Sequence, residues 1–213
     1  MILDKDKALK IADFLLQIKA VKLQPDEPFI WASGWKSPIY CDNRKILSYP
    51  QIRTSIRQTF VEQINQQYPN VELIAGVATG GIAIGALVAE EMGLPFVYVR
   101  TTAKGHGLEN LIEGEYREAQ RVVVIEDLIS TGGSSLKAVE ALRAAKVNVL
   151  GLAAIFTYGF KKAVKSFEKE QCDFFTLCDY DCLIDMAVKA NYIAENELNS
   201  LRDWRLDPHK WKN

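Results

Sequence analysis

Apolar residues without polar alternation mark several short runs along the chain, and amphipathic stretches lie between them. The apolar runs are residues 72–77, 96–99, 122–125, 149–156 and 174–177. Helical spacing of apolar residues covers residues 4–22, 48–68, 82–92, 136–146, 161–170, 181–189 and 195–204. Uniformly apolar runs are typical of strands that are covered on both faces of a parallel sheet. Because strands and helices alternate from residue 71 to about 180, the pattern predicts an α/β fold with a central, mostly parallel sheet flanked by helices.

Residues 122–135 combine a buried strand, two carboxylates and a loop of small residues. Glu126 and Asp127 follow the apolar run, and a predicted helix follows the loop. The loop consists of Ser130, Thr131, Gly132, Gly133, Ser134 and Ser135. Glycines let a ligand approach the backbone, and the free N–H groups at a helix N-terminus favour an anion, whereas carboxylates suit ribose hydroxyls or Mg²⁺. The order predicts a site for a phosphorylated sugar. The structural alternative is a strand–turn–helix with a helix cap at Ser134 or Ser135.

Two common nucleotide-binding motifs do not fit this loop. It lacks the Gly-Lys-Ser/Thr ending of the ATP-binding P-loop and the GxGxxG spacing of dinucleotide folds. Its order of apolar strand, two acids, two apolar residues and Ser/Thr-Gly-rich loop resembles the phosphoribosyl-diphosphate (PRPP) signature of type I phosphoribosyltransferases. The resemblance implies that fold, with the acids on the ribose hydroxyls and the loop on the 5′-phosphate. The PRPP-binding residues it implies here are Glu126, Asp127, Leu128, Ile129, Ser130, Thr131, Gly132, Gly133 and Ser134.

Residues 29–44, FIWASGWKSPIYCDNR, contain a second distinctive segment. Its partial alternation and its turn favour a β-hairpin with aromatic packing. It also resembles the F-x-L-x-SG-x-x-SP-x-Y-x-D-x-R segment of orotate phosphoribosyltransferases, in which this region forms a hood over the pyrimidine base. The matching residues are Phe29, Ser33, Gly34, Ser37, Pro38, Tyr40, Asp42 and Arg44. The resemblance implies transfer of the 5-phosphoribosyl group of PRPP to N1 of orotate, giving orotidine 5′-monophosphate and diphosphate. We call about residues 1–45 the hood.

A second glycine loop follows the predicted strand at residues 72–77. Ala78, Thr79, Gly80 and Gly81 lead into the apolar helix predicted to end at Gly93. This strand–loop–helix order repeats the plan of residues 122–146, and the resemblance implies that the loop contacts the diphosphate. A turn that needs glycine for close packing of helix on strand is an equally good interpretation.

Residues 100–121 are mostly polar, with glycines around a histidine and little helical periodicity. A connection of this length inside an α/β domain is usually functional or mobile, so we predict a lid that closes over a polyanion rather than a solvated loop. The stretch resembles the R-x-x-x-K-x-H-G catalytic loop of orotate phosphoribosyltransferases, with Arg100, Lys104, His106 and Gly107 in the matching positions. That resemblance implies a lid shared between the subunits of a homodimer. Many members have a lysine where this chain has Thr101.

Catalysis is expected to rest on charges placed where charge develops in the transition state. Lys104, His106 and Asp127 are the catalytic candidates, because cations would neutralise the departing diphosphate and a carboxylate would favour a cationic sugar. Arg100 joins Lys104 and His106 as a diphosphate ligand. The resemblance implies Mg²⁺ as cofactor, carried mainly by PRPP rather than by a metal site of the protein.

The residues expected to recognise the base depart from the family pattern at one position. Some members have an arginine for the orotate carboxylate where this chain has Tyr158. Backbone amides of the hood, or Ser130, are alternative partners, and Ser130 is the predicted orotate-binding residue.

Composition narrows the class of protein. The chain has 213 residues, a net charge of −1 and 25% charged residues. This gives no electrostatic case for binding nucleic acid or a membrane surface. Cys41, Cys172, Cys178 and Cys182 form no CxxC pair, so reduced thiols are expected rather than zinc ligands or disulfides. The expected protein is cytoplasmic, with one phosphoribosyltransferase domain over residues 1–213 to which the hood belongs.

Two other functions share the central motif. A purine or uracil phosphoribosyltransferase would use the same PRPP signature, but the hood and lid segments disfavour it. A PRPP-sensing regulator would use the fold without turnover. Such regulators usually carry a DNA-binding segment and a basic surface, and this sequence shows neither.

Overall fold

The computed structural model describes residues 1–31, 34–100 and 111–211. The helices are α1 Lys5–Gln17, α2 Pro50–Gln67, α3 Gly80–Met92, α4 Gly133–Ala144, α5 Lys161–Lys169, α6 Tyr180–Lys189 and α7 Leu198–Leu206. The strands are β1 Val21–Leu23, β2 Phe29–Ile30, β3 Lys36–Ser37, β4 Ile39–Cys41, β5 Leu73–Val77, β6 Phe96–Val99, β7 Ile112–Glu113, β8 Arg121–Ile129, β9 Asn148–Thr157 and β10 Phe174–Asp179. Short 3-10 helices cover Asn43–Ser48 and Glu195–Glu197.

The main sheet has the strand order β10-β9-β8-β5-β6-β7. Every neighbouring pair is parallel except β6 and β7, which is antiparallel. The mostly parallel sheet flanked by helices is therefore confirmed. Because β8 is an inner strand between β5 and β9, the loop that follows it lies near the middle of the carboxyl edge. In sheets of this kind, ligands bind at that edge.

Helices cover both faces of the sheet, which explains the uniformly apolar strands. Along β8, Val123 and Ile125 pack into a core with α1, α2, α3 and α6. Val122 and Val124 point to the other face, where they pack into a core with α4 and α5. Successive strand residues alternate between the faces, so both sets must be apolar.

The hood is built from two small antiparallel sheets. One pairs β1 with β4, and the other is the β2–β3 hairpin. The helix predicted over residues 4–22 is wrong at its C-terminal end. Asp4 caps α1 by accepting a hydrogen bond from the Lys7 amide at 3.0 Å, but the helix ends at Gln17 and Lys19 has a φ of 53°. Residues 21–23 instead form β1, which pairs with β4 inside the hood. Strand hydrogen bonds thus replace the last predicted helical turn.

Three other elements differ from the sequence prediction. Strand β8 continues through the carboxylates to Ile129, since β9 pairs with it as far as Thr157. Helix α4 begins at Gly133, so the second half of the predicted loop is its first turn. Strand β7 lies inside the stretch predicted to be a lid. In the part of the chain that the structure describes, no helix combines the length and the apolar character needed to cross a bilayer.

Candidate active site

The carboxyl edge of the sheet brings together the two glycine loops and the hood. The loops follow β5 and β8, which are neighbouring parallel strands. A hydrogen bond from the Ala78 amide to the Val99 carbonyl, 2.8 Å long, fixes the first loop beside the end of β6. The side chain of Asn43, at the end of the hood, reaches the Asp127 carbonyl at 2.6 Å. The segments that carry the predicted site are therefore adjacent.

Glu126 lies under the surface of this edge and is only 4% exposed. Its Oε2 accepts a hydrogen bond from the Ser135 hydroxyl at 3.0 Å, and its Oε1 accepts one from the Asp127 amide at 3.1 Å. Burial, and secondarily the neighbouring Asp127 carboxylate, raise the pKa of Glu126 to about 9. A carboxyl group in this environment favours its neutral form near pH 7.

Asp127 is the more open member of the pair, half-buried at the surface of the edge. Its carboxylate lies directly over Gly80, where a Cβ atom would overlap the carboxylate group. A second close approach in the same loop places the Gly81 Cα next to the Ile125 carbonyl. Glycine in this loop thus allows the loop after β5 to pack against the end of β8. This supports the packing interpretation of that loop and leaves its predicted contact with diphosphate as a prediction.

The loop between β8 and α4 presents the start of a helix to the same edge. Gly132 is the residue before α4 and has a φ of 83°, a conformation that favours glycine. Ser130 and Thr131 are half-buried, while Gly133 and Ser134 are exposed. The amides of the first turn of α4 therefore lie beside open hydroxyl groups, as an anion site requires. Ser135 does not contribute to this open surface, because it is buried and bonded to Glu126.

A cavity of about 440 Å³ lies between the hood and the loop after β8. It is lined by Ile30, Trp31, Tyr40, Cys41, Leu128, Ser130 and Tyr158. Ser130, the predicted orotate-binding residue, belongs to the loop between β8 and α4, which we call the anion loop. It also lines the cavity. Leu128 was predicted as a PRPP residue, and its side chain faces this cavity. Cys41 was not predicted to be a lining residue, since a single cysteine in a short strand carries no pattern.

Aromatic stacking holds one wall of this cavity. The Trp31 ring contacts the Tyr158 ring at 5.3 Å and the Trp204 ring at 5.6 Å between centroids, and its indole N–H donates to the Ile39 carbonyl at 3.2 Å. Tyr158 is 3% exposed, and burial raises the pKa of its hydroxyl. Trp204 and Trp211, both near the end of the described chain, are also buried.

Of the predicted lid residues, the structure describes Arg100 and places it at the end of β6. Its side chain pairs with Glu113 at 3.3 Å, and its amide donates to the Leu111 carbonyl at 2.8 Å. This hydrogen bond joins the two ends of the segment 101–110. Lys104 and His106 lie outside the described residues, so their roles stay predictions.

Oxygen ligands suit a magnesium ion at this edge, but a complete protein cage is not apparent. Among the described residues, no group of three or more His, Cys, Asp and Glu side chains is arranged to hold a metal. Asp127 provides one half-buried carboxylate beside the anion loop. Because Mg²⁺ usually keeps waters and binds one or two carboxylates together with substrate phosphates, these residues fit an ion that arrives with a diphosphate. All four cysteines are free, as expected.

A second cavity, of about 470 Å³, lies at the far end of α4 between Tyr116 and Ala144. It borders an ion pair of Lys146 with Glu118, 3.0 Å long, but neither glycine loop. The carboxyl edge is therefore the better candidate for an active site.

Comparison with known proteins gives a consistent picture. The family model of the phosphoribosyl transferase domain matches residues 44–190. An orotate phosphoribosyltransferase of Porphyromonas gingivalis is 57% identical over 201 residues, which are 94% of this chain and 96% of that protein. The crystal structure of orotate phosphoribosyltransferase from Aeropyrum pernix superposes with a TM-score of 0.75 at 26% identity, covering 86% of this chain and 99% of that one. The structure of Leishmania donovani UMP synthase has a TM-score of 0.77 at 27% identity, covering 93% and 42%.

Proposed function

The chain belongs to the phosphoribosyl transferase family, and from this premise we propose that it is an orotate phosphoribosyltransferase. It would transfer the 5-phosphoribosyl group of PRPP to N1 of orotate and release diphosphate, a step of pyrimidine nucleotide synthesis. The observation that carries the proposal is the arrangement around Ser130. This residue belongs to the anion loop and also lines the cavity under the hood. A phosphorylated sugar and a flat base would thus meet at one point.

The sugar end of the site supports a reaction driven by placed charges. Leaving of diphosphate from the anomeric carbon builds positive charge on the ribose, and the half-buried Asp127 carboxylate would stabilise it while accepting hydrogen bonds from the diol. Glu126 would support the same diol from below. Donors at residues 130–134 would hold the 5′-phosphate with backbone N–H groups and hydroxyls. Orotate N1 is itself the nucleophile once deprotonated, so no side-chain nucleophile is required.

The base end of the site supports a planar, partly apolar ligand. Trp31 and Tyr40 give the cavity aromatic surface, and Ser130 gives it a hydroxyl. Tyr158 would donate its phenolic O–H to the orotate carboxylate, in place of the arginine found in some relatives. Its raised pKa keeps the donor proton in place at neutral pH.

The remaining parts of the proposal rest on the sequence. Residues 1–213 would form one catalytic domain with Mg²⁺ as cofactor, in a cytoplasmic homodimer. Lys104 and His106 would neutralise the departing diphosphate, with Arg100 leaving Glu113 to join them, and His106 would be available as a proton donor. Lid closure would keep water from the activated sugar. When bound, Mg²⁺ would supply charge neutralisation to the diphosphate, next to the oxygens of Asp127.

The experiment is a base panel with product identification. The protein is incubated with PRPP, Mg²⁺ and orotate, uracil, adenine, hypoxanthine or guanine, and both diphosphate and nucleotide are measured. We expect turnover with orotate and orotidine 5′-monophosphate as product. Faster turnover of another base would replace the proposed substrate, and PRPP binding without any turnover would favour a regulator.

Asp127→Asn is the matched variant for this experiment. It keeps the shape of the side chain but removes its charge, so we expect kcat/KM for PRPP to fall by about a hundredfold, the usual cost of one electrostatic contact in the transition state. An unchanged kcat/KM would remove Asp127 from the mechanism.

A further inference from the structure

Asn43 is a buried amide that connects the hood to the acidic pair. It is 2% exposed, and both ends of its side chain are used. Its Nδ2 donates to the Asp127 carbonyl at 2.6 Å, across 84 residues of sequence. Its Oδ1 accepts from the Cys41 thiol at 3.3 Å. A buried amide that satisfies a distant backbone group fixes the relative position of the two segments it joins.

The Asp127 carbonyl lies where the sheet no longer supports β8 on both sides. Strand β5 pairs with β8 only as far as Ile125, whereas β9 continues beside β8 to Ile129. The acidic pair therefore stands on a strand end that has a sheet neighbour on one side only. The Asn43 amide supplies a hydrogen bond to this end from the hood, so the hood takes part in holding the backbone of Asp127.

The same hydrogen bonds also touch the cavity under the hood. Cys41, which donates to Asn43, lines that cavity, and so does Leu128, the residue after Asp127. Asn43 is thus bonded to a wall of the base cavity at one end and to the backbone of the ribose-binding acid at the other. The Asn43 side chain thus adds a hydrogen-bonded link to the direct chain connection through Leu128.

We propose that Asn43 is a positioning residue that holds the base cavity and the Asp127 carboxylate in register. This inference rests on the proposed function, since it matters only if a base and a sugar are joined here. Because Asn43 is not placed to contact either substrate, its effect falls on alignment rather than on affinity. Small misalignment of reacting groups lowers the rate of the chemical step more than it lowers binding.

Two variants separate the hydrogen bond from packing. Asn43→Leu has nearly the same size and shape, but it can neither donate to the Asp127 carbonyl nor accept from the Cys41 thiol. Asn43→Ala removes both hydrogen bonds. For both variants we expect kcat at saturating orotate and PRPP to fall by about tenfold or more, because even a small displacement of reacting groups lowers the rate of the chemical step. Binding of PRPP alone, measured by calorimetry with Mg²⁺, should weaken by less than about threefold.

The matched control is Gln120→Ala. Gln120 is also a buried amide that makes two backbone contacts, donating to the Glu72 carbonyl at 3.2 Å and accepting from the Arg117 amide at 3.0 Å. These contacts lie at the amino end of β8, at the opposite edge of the sheet. Gln120→Ala should lower the unfolding temperature and leave kcat within about twofold of the parent enzyme, since it removes the same kind of bond away from the site.

The outcomes are distinct. A loss of kcat in both Asn43 variants, larger than in Gln120→Ala when all are assayed well below their unfolding temperatures, supports the inference. Parent-like kcat in Asn43→Leu overturns it, because the donated bond would then be unnecessary. An equal loss in Gln120→Ala also overturns it, since general destabilisation would explain the effect. Absence of orotate turnover in the unmodified protein refutes the proposed function instead.

Discussion

The neighbouring carboxyl groups of Glu126 and Asp127 have opposite surroundings. Glu126 is buried and accepts hydrogen bonds from Ser135 and from the Asp127 amide, while Asp127 is half-buried at the open edge. Environments that separate two adjacent carboxyls often give them different tasks. Here they favour a neutral Glu126 that supports the site, while the more open Asp127 would meet the cationic sugar.

Glu126→Gln should change the pH dependence of stability. The folded-state pKa of Glu126, about 9, lies above its ordinary value of 4.5, so the folded protein holds this proton more tightly than the unfolded chain. The free energy of unfolding of the parent therefore falls as pH rises from 4.5 to about 9. The free energy of unfolding of Glu126→Gln does not have this contribution to its pH dependence. The unfolding temperature of the variant minus that of the parent should be larger at about pH 8.5 than at about pH 5, by about 2 °C or more.

Thermal unfolding of the two ligand-free proteins across this pH range provides the measurement. Asp127 is unchanged in the variant, so both proteins carry the same neighbouring carboxyl group. A difference in unfolding temperature that does not vary with pH would contradict a neutral Glu126.

Tyr158→Phe tests the proposed carboxylate donor. Tyr158 lines the cavity, and the proposed donor is its hydroxyl. Its loss should raise KM for orotate by about threefold to tenfold and leave KM for PRPP unchanged, because one hydrogen bond to a charged group is removed. Steady-state kinetics with each substrate varied in turn would measure both.

Tyr180→Phe is the control for that variant. The Tyr180 hydroxyl donates to the Leu201 carbonyl at 3.1 Å, and its ring packs on Trp204 outside the cavity lining. Its removal should cost stability by about 1 kcal/mol without changing KM for orotate. If KM for orotate is the same in the parent and in Tyr158→Phe, the partner of the orotate carboxylate would instead be a backbone amide of the hood or Ser130.

Among the elements, the loop between β5 and α3 and the end of β8 depend on each other. The Asp127 carboxylate occupies the space that a side chain at position 80 would need. Gly80→Ala should therefore displace the carboxylate or the loop, at a cost of about 1–3 kcal/mol in the free energy of unfolding. The steric partner is a single side chain, which makes the cause testable.

A double-mutant cycle with Asp127→Ala is the measurement. If the clash is with the carboxylate, Gly80→Ala should cost little in the Asp127→Ala background, giving a coupling energy of about 1 kcal/mol or more by denaturant unfolding. Additive effects would mean that the added methyl group disturbs the loop in another way.

Most of the sheet could be predicted from sequence, because strands covered on both faces leave a simple apolar signal. The elements at its margins could not. Residues 21–23 continue an apparently helical pattern, and only pairing with β4 makes them a strand. Strand β7 is two residues long at the sheet edge, too short for any periodicity.

The sequence predicts which residues belong to the candidate site, but not how deeply each of them is buried. The order of acids and glycines predicts a site at residues 126–134, but it does not predict that Glu126 is buried and accepts a hydrogen bond from Ser135 in the first turn of α4. The contact of Asn43 with the Asp127 carbonyl joins segments far apart in sequence. A pattern within one segment carries no information about such contacts, which arise when the hood packs on the sheet.

At the scale of the whole molecule, the proposed lid and homodimer lead to a prediction about which subunit's lid completes each site. The Arg100 amide and the Leu111 carbonyl are hydrogen-bonded, so the two residues that flank the ten residues 101–110 lie together at the sheet edge. A ten-residue chain tied at both ends reaches at most about 16 Å from its base. Lys104 and His106 are near its middle, where the reach is greatest. This length permits a lid that extends into the site of a neighbouring subunit of the proposed homodimer.

Mixing two inactive variants distinguishes the arrangements. Lys104→Ala impairs the lid, and Asp127→Asn impairs the sugar site. If the lid acts on the partner subunit, a hybrid dimer contains one site with an intact lid and an intact carboxylate, and a second site with both defects. Random exchange makes about half of the dimers hybrid, so about one quarter of the parent activity should return. If the lid acts within its own subunit, every site keeps one defect. Activity should then stay at the level of the separate variants, although differently tagged chains co-purify as dimers.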